Sequence, residues 1–207
     1  MTESRSYRGQ PVDDRRRQRR TRFLDSALAL FGTQGYAASS IPAVCRHASL
    51  SSRQFYESFT DREDLLKAVY DDIQDATMSA VSDAVVAALE RHARLDDVLE
   101  AGVAAFVDYY ADSPERIRLS FVEVVGVSPA FEVYRRERRL KWADLLAAVS
   151  DRAAQQGLPV ADTDPLVWSA YLGAVNFAIV ENAENPDTTV DDVMRVMRRM
   201  LRPGVLG

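Results

Sequence analysis

Residues Ser39 to Phe59 read SSIPAVCRHASLSSRQFYESF, and this stretch decides the fold. Ile41, Val44, Cys45 and Ala48 recur at i, i+3, i+4 and i+7, the spacing that places four apolar side chains on one face of a helix. Ser39 or Ser40 offers an N-cap oxygen, and Pro42 is tolerated in a first turn, where its missing N–H has no intrahelical partner to lose. A tight turn follows over Ala48, Ser49, Leu50 and Ser51, with Leu50 as its apolar anchor. Ser51 or Ser52 caps a second short helix, predicted over 52–58, in which Phe55 and Phe59 point back at the core. Ser52, Arg53, Gln54, Tyr56 and Glu57 are left outside. Two short helices about a tight turn, with one polar face to spare, read as a helix-turn-helix.

The flanks agree. The preceding helix ends in Phe31-Gly32-Thr33-Gln34-Gly35-Tyr36, and Thr60-Asp61-Arg62-Glu63-Asp64-Leu65-Leu66 follows. The run ALALFGTQGYAASSIPAVCRHASLSSRQFYESFTDREDLLKAVY resembles the N-terminal domain of the TetR family of transcriptional regulators, over about Arg19 to Tyr70. The Phe-x3-Gly-Tyr helix end, the Phe-Tyr-x-x-Phe of the third helix and the Asp-x-Glu-x-Leu-Leu start of the fourth carry it. Four positions depart from that pattern. Ser49 stands where the family usually has Gly, Pro42 is uncommon there, Glu57 replaces a basic residue or His, and Arg62 replaces Lys. The resemblance implies a cytoplasmic repressor that binds a double-stranded DNA operator as a homodimer and leaves it when a small-molecule effector binds.

Charge is divided along the chain in a way that suits such a protein. The 207 residues carry a formal net charge of −5. Residues 1–60 hold ten arginines and five acids, and the remainder 16 bases and 26 acids, so a basic head precedes an acidic body. A single cysteine, Cys45, excludes an internal disulfide and reads as core packing in a reducing compartment. No apolar run reaches membrane-spanning length, and the N-terminus lacks the apolar segment of a signal peptide.

Periodicity predicts an all-α chain of about nine helices: a flexible basic arm over 1–12, a three-helix head over 13–60, and a helical body over 61–207, to which the resemblance gives effector binding and dimerisation. Helix 1 carries Phe23, Ala27, Leu30 and Phe31 on its core face and ends at Gly35. Helix 4 starts at Asp61 and runs to about His92, with no Gly or Pro between, so it joins head to body. Leu99, Val103, Phe106 and Tyr110 form one stripe. RLSFVEVVGV, residues 118–127, is apolar nearly all round and reads as a central helix. The next helix, about 130–156, turns Phe131, Tyr134, Trp142, Leu145, Leu146 and Val149 inward. Val167 to Val180 is apolar over more than one face, and Val190, Val193, Met194, Met197 and Leu201 stripe the last helix. An isolated bundle would leave Val193 and Met197 wet, so the last two helices are expected to pair with a second copy.

Catalysis finds no constellation here. The histidines are His47 and His92, and Cys45 and His47, two apart, face different ways on a helix and cannot share a metal. No phosphate-cradling Gly-rich loop is present, and no cofactor or metal site is expected. Side-chain chemistry assigns base reading to Ser52, Arg53 and Gln54, since Arg suits guanine and Gln adenine in the major groove. By chemistry and by the resemblance, Ser40, Tyr56 and Arg62 are assigned to phosphate; Ser51, Arg16 and Arg19 complete the DNA-contact set. In the body, Phe106, Tyr110, Phe121, Tyr134, Trp168 and Tyr171, with Glu123 and Asn176 interrupting apolar runs, are candidate ligand contacts; they suit a hydrophobic, aromatic or cationic small molecule. The rival readings are an architectural DNA-binding protein without an effector, and an all-helical enzyme whose basic head is incidental.

Overall fold

The computed structural model describes residues 12–160, 165–185 and 187–206. Among the described residues the chain forms nine α-helices and one π-helical turn, with no strand. It divides between Val69 and Tyr70 into two compact units. The arm expected over 1–12 lies outside the described residues, except for Val12, where the first helix begins.

The first unit comprises α1 (Val12–Gln34), α2 (Ile41–Ala48), α3 (Ser52–Tyr56) and the opening turns of α4 (Arg62–Glu90). Phe23, Ala27, Phe31, Val44 and Phe55 are fully buried. Phe23 meets the rings of Phe55 and Phe59 edge-on, with centroids 5.5 and 6.0 Å away. The turn from α2 to α3 closes as a Schellman motif: Leu50 N–H donates to the Cys45 carbonyl at 3.0 Å and Ser49 N–H to that of Arg46 at 3.1 Å. Ser49 therefore adopts φ 53°, a left-handed conformation usually given to glycine. α3 is shorter than expected; after Tyr56 the chain tightens into turns in which Ser58 and Phe59 both donate to the Phe55 carbonyl.

The second unit holds α4 from Tyr70 onward, α5 (Leu95–Ala111), α6 (Pro114–Arg118), α7 (Pro129–Gln155), α8 (Pro165–Glu184) and α9 (Val190–Leu206). α5 packs on α9, α9 on α8, and α8 on α7. Gly102 lets α5 approach α4: a Cβ there would meet Val85 Cγ2 at 3.0 Å. α4 and α7 are tied by Arg138, 4% exposed, which bonds Asp75 and lies 3.5 Å from Asp71. Among the described residues, no helix is long and apolar enough to cross a membrane.

Two expectations are corrected. The apolar run 118–127 is not one α-helix: α6 ends at Arg118, Leu119–Glu123 continue it as a π-helical turn, and Gly126 then reverses the chain at φ 72°. The i→i+5 register brings Leu119 and Val124, five apart, to the buried side, while Val122 and Val125 face solvent. In α9, Val193 and Met197 are buried within the chain itself. The exposed apolar side chains are Val196 and Met200 on α9, with Leu166, Val167 and Phe177 on α8. The side chains of Val190 and Leu201, part of the expected stripe, lie outside the described residues.

Candidate nucleic-acid interface and the cavities of the second unit

Each predicted contact in the first unit has a definite place. Ser40 is the N-cap of α2, its Oγ accepting from Ala43 N–H at 3.3 Å. Ser51 caps α3 in a capping box: Ser51 Oγ accepts from Gln54 N–H, and Gln54 Oε1 accepts from the Ser51 backbone N–H at 2.9 Å and its hydroxyl at 3.1 Å. Gln54 therefore spends its amide oxygen within its own helix, and the two-point reading of adenine that its type suggested needs that cap broken. Ser52, Arg53 and Tyr56 lie exposed beside it. The Arg53 side chain is 90% exposed, with one loose contact, 3.6 Å to Glu57.

Arg62 does something other than its sequence assignment. Its Nη1 donates to the carbonyls of Ser39 at 2.8 Å, Tyr36 at 3.0 Å and Ala37 at 3.4 Å, and its guanidinium lies 4.1 Å over the Tyr36 ring. It braces the loop between α1 and α2. The arginines of α1 are also engaged. Arg16 donates to the Glu57 carbonyl at 3.3 Å, and Arg19 lies 3.5 Å from the Glu57 carboxylate. Arg20 donates to the Ser58 carbonyl and stacks on Phe59 at 4.6 Å. Arg22 donates to the Ala48 carbonyl at the end of α2. Cations thus sit where the C-terminal carbonyls of α2 and α3 are exposed, as the helix dipole favours. This capping role was not read from the sequence; the cue was the run's spacing on the face beside Phe23 and Ala27.

The second unit holds two adjoining cavities. The larger, of about 90 Å³, is lined almost wholly by apolar side chains, among them Val81, Val85, Leu99, Phe106, Trp142, Trp168, Tyr171 and Met197. The smaller, of about 30 Å³, is polar: Tyr70, Gln74, Tyr110, Ser120, Phe121, Arg135, Arg139 and Asn176 border it. Phe106, Trp142 and Leu172 border both. Of the predicted ligand residues, Phe106, Trp168 and Tyr171 line the first, and Phe106, Tyr110, Phe121 and Asn176 the second. Tyr134 and Glu123 line neither. Tyr134 donates to Asp71, and Glu123 pairs with Arg118 at 2.9 Å, so the partners those polar groups require are protein groups. The sequence places Trp142 among the inward-facing aromatics without marking it as a ligand contact, and singles out neither Arg135 nor Arg139.

Burial pushes the Tyr110 phenol up to about 12, and raises Tyr70 despite the nearby charges of Arg135, Arg138 and Arg139. Both stay protonated donors. The Tyr171 phenol is raised by burial alone, and its hydroxyl meets no hydrogen-bond partner among the described residues.

With this geometry, residues 23–69 match the family described as bacterial regulatory proteins, tetR family. The chain carries the DNA-binding domain of TetR-family transcriptional regulators. It is 24% identical over 162 residues, 78% of either chain, to the HTH-type transcriptional repressor SCO4008 of Streptomyces coelicolor. Its fold is shared with the fatty acid degradation regulator FadR of Bacillus halodurans (TM-score 0.74, 13% identity, 90% of this chain and 95% of that one). It is shared equally with FadR of Bacillus subtilis, solved in complex with stearoyl-CoA (TM-score 0.75, 13% identity, 89% and 98%). In this TetR-family domain α3 is the second helix of the helix-turn-helix.

Proposed function

We propose that the chain is a sequence-specific repressor that binds operator DNA as a homodimer and is released by a small apolar ligand held in the second unit. The observation that carries the DNA half is the outward face of α3, where Arg53 stands 90% exposed beside Ser52 and Tyr56 while Ser51 and Gln54 hold the helix start rigid. Arg53 reads guanine, Ser52 assists, and Ser40 and Tyr56 take phosphate with Arg16 and Arg19 behind them. Arg62 positions the loop that leads into α2. The dimer reading rests on the apolar face of α8 and α9, where Leu166, Phe177, Val196 and Met200 lie exposed, and a second copy offers the same face by two-fold symmetry.

The ligand half rests on the apolar cavity. The B. subtilis FadR complex with stearoyl-CoA supports a hydrophobic effector, and the S. coelicolor relative supports repression. Val81 and Val85, which border the cavity, belong to α4, the helix that begins as Arg62 in the first unit. The reading helices of a dimer must sit about 34 Å apart to enter successive major grooves. A ligand that prefers a state with another spacing releases DNA; one that binds both states equally does not.

The test begins with selection of a tight duplex from a random pool. Arg53→Ala should then cost about 1–3 kcal/mol on that duplex and relax one base position, leaving binding to random DNA unchanged. Equal losses on selected and random DNA would make Arg53 a phosphate contact and favour an architectural role.

A further inference from the structure

The two cavities differ in chemistry, and the difference selects a ligand. The larger presents no charged side chain, so a charge placed there would be stripped of water without compensation. The smaller, across Phe106, Trp142 and Leu172, carries the guanidiniums of Arg135 and Arg139 with the polar groups of Tyr70, Tyr110, Gln74 and Asn176, of which Gln74 Nε2 already donates to the Tyr110 hydroxyl at 3.5 Å. Among the described residues no carboxylate borders it. Arg135 is joined through Nη1 to Glu132 at 2.9 Å, yet its Nε is buried without an acceptor. Arg139 makes no ion pair among the described residues and lies on the exposed side. With Arg135 paired to Glu132 and Arg139 beside it, the described border of this cavity keeps a net positive charge, which suits an acceptor-rich, negatively charged group.

We propose that the second unit binds an amphipathic carboxylate, its apolar body in the larger cavity and its head in the smaller one against Arg139 and Arg135. This deepens, and rests on, the reading of the second unit as the effector site. It replaces the cationic class left open by an apolar lining with Glu123 and Asn176 as its polar groups, because Glu123 is paired to Arg118 and arginines at the head repel a cation. Size narrows the body. A cavity of about 150 Å³ takes a benzene ring, and the larger cavity here has about 90 Å³. A single ring, or a short branched chain, is therefore the largest body that enters with modest side-chain movement. Trp142 borders both cavities, so an occupant spanning them touches its indole.

Tryptophan fluorescence of the intact protein, without DNA, reads this directly. Three probes share one body: phenylpropanoate, phenylpropanol and phenylpropylamine. The carboxylate should quench at the lowest concentration, the alcohol should need roughly ten- to hundredfold more, and the amine should bind weakest. Arg139→Gln, a change on the exposed side that leaves the core intact, should remove the carboxylate's advantage and leave the alcohol unchanged. Equal binding of all three, preference for the amine, no binding by any, or a carboxylate preference that survives Arg139→Gln would each overturn the proposal. Binding in the expected order with no effect on operator affinity would uphold the site and overturn the release mechanism instead.

Discussion

Replacing Arg62 separates the two roles assigned to it. In the structure one guanidinium serves three carbonyls of the loop between α1 and α2 and stacks at 4.1 Å on Tyr36. Hydrogen bonds from a charged donor contribute about 1.5–3 kcal/mol where the acceptors are otherwise unmet, and a partly exposed cation–π contact about 0.5–1 kcal/mol. The three bonds share one Nη, and water replaces part of what is lost at a half-buried site. Arg62→Ala should therefore destabilise the chain by about 2–3 kcal/mol, short of the sum of the separate contacts. Arg62→Lys should recover little, because an ammonium has neither the planar fork nor the flat face that stacks on the ring. Urea denaturation gives the stability, with the slope checked for constancy, and amide exchange over 36–41 should report the loosened loop. DNA binding, measured where both variants are fully folded, should keep its salt dependence. If Arg62→Ala instead left stability within about 0.5 kcal/mol and lowered the salt slope by about one, the residue would be a phosphate contact and the brace unimportant.

Two further perturbations test other parts of the structure. Ser49→Gly removes a side chain held at φ 53° on an exposed turn, and should stabilise by about 0.5–1 kcal/mol after allowing for the greater freedom of unfolded glycine; a neutral or lower melting temperature would show that the left-handed turn costs serine no more than glycine's extra unfolded freedom. The tyrosines set an alkaline limit. An unfolded phenol titrates near 10, and the folded value of Tyr110 is about 12, so the folded state holds the extra proton. The stabilisation is complete below pH 10 and is lost as pH rises toward 12, on the order of 2 kcal/mol from Tyr110 alone. Phenolate absorbance should rise in two stages, the late one coinciding with unfolding; a single transition near 10 with the fold intact would contradict the burial of Tyr70, Tyr110 and Tyr171.

What was legible in the sequence was whatever local periodicity decides. Val44, Cys45, Ala48, Phe55 and Phe59 fall on one side because of their spacing, and the serine caps of α2 and α3 lie where a short side-chain oxygen can meet the N3 amide. Side-chain partners across the fold were not legible. Gln54 as a cap and Gln54 as a reader have the same sequence, and only the position of its Oε1 separates them. Residues 118–127 failed for a different reason: an apolar run reports burial, not the number of residues per turn, and the π register is set by what Leu119 and Val124 pack against. The α9 stripe was read as a surface for a second copy because periodicity identifies an apolar face without saying which neighbour covers it. Val193 and Met197 are covered from within, and the face left over is displaced by about one helical position to Val196 and Met200.

The arginines of α1 carry this distinction into function. A guanidinium bonded to a carbonyl has its geometry fixed and its charge intact, since the acceptor is neutral. One paired to a carboxylate loses much of its outward field. Arg16, Arg20 and Arg22 rest on the carbonyls of Glu57, Ser58 and Ala48, at the C-terminal ends of the two helices of the motif. Arg16, Arg17, Arg20 and Ser58 border one surface recess. For a polyanion these are exposed cations partly restrained before binding, so somewhat less ordering remains to oppose association. Glu57 works against them: it draws Arg19 to 3.5 Å and Arg53 to 3.6 Å, so a fraction of the positive field beside the reading helix is cancelled in the free protein. Phosphate can displace Glu57 from Arg19 on any duplex, whereas Arg53 gains in exchange only where a base edge offers paired acceptors. If Arg53 reads a base as proposed, the acid beside it should lower binding to all DNA and lower it least on the right sequence, so that few base-reading side chains still discriminate.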